Sequence, residues 1–240
     1  MNLINFAFNP WSTYWKRNQT IVYLLSQTPQ IHKVLFVNPA VWLTDLFRNP
    51  HHQLNQSNRH RWHAPLPRHV APKISLYTPI LFPYHYKLKR SAHITQKFTD
   101  WVLRPYVSDP YLLILNDPQP PTKCTVDRIS SAATAVLFDY SDDFAEFSTN
   151  PAQRSRTQKI INHFLSISDA VITVNASLTQ RALLLNSNVY TLPNATNYFA
   201  FENADQDLLV PSRLKKLRRP VLGYLGCMNS LRLDADLIEY

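Results

Sequence analysis

The chain has 240 residues, 45% hydrophobic and 17% charged, with a formal net charge of +9. This composition excludes a disordered tail, which is too polar to bury a core. It also excludes a helical membrane protein, because no run approaches the ~20 consecutive apolar residues that span a bilayer.

In chain order, residues 4–8 read as a short strand and residues 17–27 as a helix, with Ile21, Leu24 and Leu25 on one face. Residues 33–37 form a β-rich run stopped by Asn38 and Pro39. A long polar loop follows to about Pro72, and residues 74–77 read as a weak strand. Residues 91–106 predict a helix, with Ile94, Phe98, Trp101 and Val102 spaced for one buried face. Residues 111–115 predict a buried strand ended by Asn116, Asp117 and Pro118, and residues 135–138 another, ended by residues 139–143. A helix over 153–167 directs Ile160, Ile161, Phe164 and Leu165 inward. A strand at 170–174, a helix at 176–185 and a strand at 189–192 complete the pattern. Apolar strands alternating with helices predict an α/β fold, a doubly wound, Rossmann-like parallel sheet covered on both faces, over residues 1–195. Ligands in such folds lie beyond the carboxyl ends of the strands. That rule points to residues 9–17, 38–42, 116–121 and 139–147.

Residues 196–219 read as a linker, its basic cluster flanked by Pro211 and Pro220. Residues 220–229 then predict a fresh strand ending in a glycine turn, and residues 234–240 the start of a helix. They are expected to open a second α/β domain whose remainder lies outside this sequence.

Average usage would give about 17 glycines in a chain of this length. This one has two, Gly223 and Gly226, so the glycine-rich nucleotide loops are absent from the first 220 residues. Cys124 and Cys227 do not make a disulfide framework or a zinc site. The N-terminus lacks the basic lead and cleavage site of a signal peptide. The expected location is therefore the reducing cytoplasm, where the Asn-x-Ser/Thr triplets at Asn18, Asn175 and Asn194 carry no glycan.

Residues 46–99 hold nine Lys and Arg and no Asp or Glu, so the whole excess of charge falls in that stretch. Apolar and aromatic residues, Ile80 to Phe82, Tyr84, Tyr86 and Leu88, stand among Lys87, Lys89, Arg90 and Lys97. Three readings stay open: an anionic membrane surface, an ordinary solvated face over core aromatics, and nucleic acid, for which no motif is present. His51, His52, His60, His63 and His69 share the stretch without helical or strand periodicity, which favours a polar loop over a metal site.

Four segments carry a resemblance. Trp15-Lys16-Arg17-Asn18-Gln19 is similar to the start of helix one in retaining, family-four-like GT-B glycosyltransferases, the branch that builds bacterial surface polysaccharides. Phe138-Asp139-Tyr140-Ser141-Asp142-Asp143-Phe144 resembles that branch's strand-end Tyr-Asp-x-x-Asp-Asp-Phe. Residues 168–178, with Leu192-Pro193-Asn194 beyond, resemble its approach to the interdomain linker. Residues 220–226, with Arg232, Asp234 and Leu237, resemble the start of its donor domain. This chain departs from the pattern at Ala195, where relatives place glycine, and at Asn116-Asp117, where relatives often place a histidine.

The resemblance implies transfer of a sugar from a nucleotide-sugar to a glycan or lipid-linked acceptor, without a metal. It implies an acceptor or phosphate contact for Trp15, Arg17 and Gln19, and donor contacts for Gly223, Gly226 and Asn229. Asp142 and Asp143 are candidates to hold or polarise the acceptor hydroxyl, or instead to cap the next helix. Asn116 and Asp117 are candidates for the same chemistry. Lys87, Lys89 and Arg90 would face an anionic membrane at its inner surface. The alternative function is a non-catalytic or split-enzyme glycan or lipid-acceptor binding protein.

Overall fold

A computed structural model of the chain describes residues 1–13, 15–44, 65–82 and 89–196, with pieces at 202, 212–218, 220, 221, 223 and 237. Residues 89–91 are described for their backbone alone. The chain divides into two compact units, Met1–Ala195 and Thr196–Tyr240.

The first unit is a doubly wound, Rossmann-like α/β domain. Its strands are β1 (Asn2–Phe6), β2 (Lys33–Val37), β3 (Val41–Trp42), β4 (Arg68–Ala71), β5 (Ile74–Tyr77), β6 (Ile80–Leu81), β7 (Tyr111–Leu115), β8 (Ala135–Tyr140), β9 (Ala170–Thr173) and β10 (Val189–Thr191). Eight of them form one sheet in the order β10-β9-β8-β7-β1-β2-β5-β4. The pairs are parallel except β4 with β5, an antiparallel hairpin at the edge. β3 and β6 form a separate parallel ribbon. The helices are α1 (Arg17–Ser26), α2 (Lys89–Val107), α3 (Pro120–Ile129), α4 (Pro151–Ile167), α5 (Ala176–Leu183) and, in the second unit, α6 (Ser212–Lys215).

The strand order turns at β1. The chain runs outward through β2 on one side and returns through β7 on the other. The crevice between the carboxyl ends of β1 and β7 is therefore the topological switch point. Side chains alternate across the sheet. Ile4 and Phe6 join Leu113, Leu115, Phe138 and Tyr140 under α2, α3 and α4, where Val102, Val126, Ile161 and Phe164 are buried. Leu3, Ala7, Phe36 and Ile114 face the other way, with Val22 of α1. On this second side Leu112, Leu137 and Ile172 stay half-buried, so the cover predicted for both faces is thinner there.

Two predicted helix faces are rotated from their expected positions. In α1 the buried residues are Asn18, Gln19, Val22 and Ser26, while Leu24 is 60% exposed. In α2 the buried residues are Thr95, Thr99, Val102, Leu103 and Tyr106, while Ile94, Phe98 and Trp101 point outward. The same cause operates in both helices. Polar side chains that find partners inside can be buried, which frees the apolar stripe to lie elsewhere. Thr99 meets the Tyr77 hydroxyl at 3.0 Å, and the Gln19 amide donates to the Ser12 carbonyl at 3.0 Å.

Helix α3 is absent from the predicted elements because its first two residues are prolines; Pro120 and Pro121 pre-set the first turn instead of breaking it. Apart from residues 220, 221, 223 and 237, the predicted strand and helix at 220–240, with Gly226 and Asn229, lie outside the described residues, as does Lys87.

The rotation of α1 is testable. Val22→Ala should cost about 2 kcal/mol in denaturant unfolding. Leu24→Ala should stay within about 0.5 kcal/mol. The opposite ranking would restore the predicted face.

Candidate functional site

The carboxyl ends of β1, β7 and β8 meet in one polar network. Asn116, the residue after β7, is buried and spends its whole amide there. Its nitrogen donates to the Asp139 carbonyl at 2.8 Å and the Ser141 hydroxyl at 3.1 Å, and its oxygen accepts the Phe8 amide at 3.4 Å. Asp139 lies inside β8, between Phe138 and Tyr140, so alternation turns it to the face of α1. A carboxylate held there needs a cation, and Arg17, the first residue of α1, supplies it. Arg17 Nε donates to the two Asp139 oxygens at 3.0 and 3.3 Å. Its Nη1 reaches the Pro193 carbonyl at 3.3 Å and Asn194 Oδ1 at 3.5 Å. Burial pushes the Asp139 carboxyl above the ordinary range, with Arg17 pulling it back down and Asp142 adding a further upward push.

The loop from β1 to α1 is held by side chains in place of glycines. Asn38 accepts the Trp11 amide at 2.9 Å and donates to Thr78 at 2.9 Å. Gln19 ties down the Ser12 carbonyl, and Lys16 reaches Asn9 at 2.8 Å. Trp15 packs edge-on against Trp11 and Tyr23, at 5.8 and 4.9 Å between ring centres. Trp15 and Gln19 thus brace the loop that leads into α1, whose first residue is Arg17.

Asp143 follows β8. It takes Arg181 of α5 as an ion partner, and Arg181 also reaches the Tyr140 hydroxyl. Neither Asp142 nor Asp143 caps α4. That role belongs to Asn150, whose oxygen accepts the amides of Ala152 and Gln153. Asp142 itself is exposed at the sheet edge.

Asp117 is fully enclosed. Thr122 donates to its Oδ2 at 2.6 Å. Burial pushes its carboxyl up to about 7, against the lowering effect of the Thr122 hydroxyl. Beside Thr122, between α2 and α3, lies a cavity of about 50 Å³. Its walls are Phe6 and Val37 at the strand ends, Ala40, Pro79, Ala92, Pro121, Cys124 and four threonines, together with Gln96 and Arg128. All four hydroxyls are spent internally: Thr95 on the Ile80 carbonyl, Thr99 on Tyr77, Thr122 on Asp117 and Thr125 on the Pro121 carbonyl. The threonines therefore offer methyl groups, and the cavity suits an apolar group.

Among the described residues, the buried side-chain polar atoms without a partner belong to Asn5, Arg17 (Nη2), Gln19 (Oε1), Asp117 (Oδ1) and Asp143 (Oδ1). They sit in the carboxyl half of β1, at the start of α1, and just after β7 and β8. Such atoms cost about 1–3 kcal/mol each, so their concentration at one edge marks a site rather than scattered defects.

Among the described residues no group of three or more His, Cys, Asp or Glu could hold a metal ion. Gly223 has open space around its Cα. Asp139, Ser141 and Thr122 join the site although the sequence reading gave none of them a role, naming the first two only as members of the strand-end segment, and Arg181 was passed over altogether. A charged residue inside the run Ala135-Val136-Leu137-Phe138-Asp139-Tyr140 was the available signal for the first.

Removing the cation from the buried pair should be costly. Arg17→Met is expected to lose about 3–5 kcal/mol of stability, because it strands Asp139. Arg17→Met with Asp139→Asn should recover most of it; additive losses in urea unfolding would count against the pairing. Asp117 sets a pH dependence. Its folded value is raised above that of the unfolded chain, so its contribution is present at acid pH and lost as pH rises towards about 7. Asp117→Asn should therefore gain on the native protein between pH 5 and 8, with the two unfolding curves converging at the acid end.

No protein-family model matches the chain, and no curated protein matches it. Among solved structures the chain is similar to the sucrose-phosphate synthase of Thermosynechococcus elongatus. The identity is 14% and the TM-score 0.49, over 87% of this chain and 53% of that one. A second structure of that synthase aligns at 12% identity and a TM-score of 0.47, over 85% of this chain and 95% of the other. The chain spans about half the length of the first of these.

Proposed function

We propose that the chain is the acceptor-side part of a GT-B glycosyltransferase of the retaining, family-four-like branch. It would hold a glycan or lipid-linked acceptor while a sugar is delivered from a nucleotide-sugar, without a metal. The observation that carries this reading is the reach of one guanidinium. Arg17 joins the start of helix one, the Asp139 strand end and the Leu-Pro-Asn turn at Pro193 and Asn194. Three of the four segments that resemble the family thus converge on one side chain, in the fold and at the edge where the family keeps its chemistry.

The roles follow from the geometry. Arg17 is already engaged by Asp139, so in this reading it acts first as a positioning residue. Its remaining Nη2, buried without a protein partner, is the atom left for an anionic oxygen. Lys16 and Arg17 begin α1 with no acid in the first turn, an arrangement that favours negative charge nearby. In this reading Asp142, exposed beside this network, accepts a hydrogen bond from an acceptor hydroxyl. Asn116 and Asp117, both buried, hold the edge in shape. The methyl-lined cavity would take an apolar part of the acceptor.

The test is a titration of the whole protein with saccharides, free and lipid-linked, and with a panel of nucleoside diphosphate-sugars, following binding and release of nucleoside diphosphate. Saccharide binding is expected, weakened about tenfold, or ~1.4 kcal/mol, by Asp142→Ala. Saccharide binding with no diphosphate released from any donor would identify the binding-protein alternative. Steeply salt-dependent binding to RNA or DNA, with none to saccharides, would overturn both.

A further inference from the structure

We propose that β10 is the seam of a two-fold dimer, in which a second copy of the chain adds its own β10 antiparallel and continues the sheet. The proposal goes beyond the transfer reaction and does not depend on it. Among the described residues, β10 is one edge of the eight-stranded sheet. Its ladder with β9 uses the Asn188 carbonyl and the Leu192 amide, on either side of Tyr190. The N–H and C=O groups of Val189 and Thr191 therefore point away from the sheet. Such a row of groups is a template for a further strand.

The two edges of the sheet differ. β4, the opposite edge, begins with exposed Arg68 and His69 and breaks its register between His69 and Ala71. Charge and irregularity of this sort keep an edge from pairing. β10 has neither. Its register with β9 is unbroken, and residues 182–196 hold no Asp, Glu, Lys, Arg or His. Five large apolar side chains are exposed there instead: Leu183, Leu184 (82%), Leu185, Tyr190 (59%) and Leu192. That concentration on a water-facing surface marks a contact.

Charge selects the partner. The chain carries a net charge of +9, so most encounters between two copies bring like charges together. An uncharged edge meets its own copy without that cost, and it offers a charged partner nothing to recognise. The geometry is self-complementary as well. A two-fold axis at Tyr190 sets Val189 opposite Thr191 of the second copy, and Thr191 opposite its Val189, so the outward groups pair reciprocally. Tyr190 then meets Tyr190 of the second copy as an aromatic cross-strand pair. On the other face, α5 lies over the edge: Leu178 and Ala182 share a core with Val171, and Thr179 reaches Thr191 at 2.8 Å. The axis places the two α5 helices about 10 Å apart, the distance at which helices pack. Leu183, four residues after Thr179, stands on the line of α5 nearest the seam.

The experiment is sedimentation of the whole chain over a concentration series up to about 100 μM. A monomer–dimer equilibrium is expected, little changed by added salt. Tyr190→Lys should shift it about tenfold or more towards monomer, and Leu184→Lys in the same direction. Both side chains face water, so the circular dichroism of the monomer should be unchanged. Trp101→Ser, on the distant outer face of α2, should leave the equilibrium as it is. A monomer at every concentration would overturn the proposal, as would a dimer that Tyr190→Lys leaves intact or that salt dissociates. Binding to uncharged vesicles without any dimer, lost in Tyr190→Lys, would overturn it too, since the edge would then serve a lipid surface.

Discussion

The buried pair of Arg17 and Asp139 is the constraint on which the carboxyl edge depends. An acid inside a strand, almost wholly shielded from water, is costly unless a cation meets it with good geometry. Arg17 meets it from the first residue of α1, and this fixes where the helix begins, how the β1–α1 loop must run and where the turn after β10 has to pass. Asn116 then binds the same strand from the other side. Three strands and two connections are held in register by a handful of polar atoms, in the part of the fold where backbone ladders have ended.

This economy is tied to the scarcity of glycine. A loop that leaves a parallel strand at a switch point usually turns on glycines. Here asparagine side chains stand in for backbone freedom. Asn38 holds the amide of Trp11, Asn116 that of Phe8, Asn150 those that open α4, and Asn175 that of Leu178 at the start of α5. Each bond fixes a local geometry that glycine would merely permit. The edge that results is stiffer than a glycine loop and cannot bring its backbone as close to a bound phosphate.

Much of the architecture was legible because it rests on pattern. The apolar runs within β2, β7 and β8, and the inward residues of α4, follow directly from burial on both faces of a sheet. The helix faces of α1 and α2 were not legible, because burial there is decided by whether a polar group finds a partner across the fold, and no local window contains that information. The resemblance located Arg17 and the Asp142–Asp143 edge. It could not show that Arg17 is already bound to Asp139, since the two are 122 residues apart. A separation of 38 residues hid the bond between Arg181 and Asp143 in the same way. β5 was read as a weak strand, but its hairpin partner β4 was read as loop because it is short and partly polar.

Pro120 and Pro121 carry one further consequence. A helix that starts at a switch point normally points free amides into the crevice, but the first two positions of α3 have no N–H to offer. The start of α3 is thereby poor in backbone donors and the cavity beside it is lined largely by apolar groups, while the start of α1 carries Lys16 and Arg17. The crevice is polarised across its width. A ligand with one charged and one greasy end would enter in a single orientation, sorted by solvation before any particular contact forms.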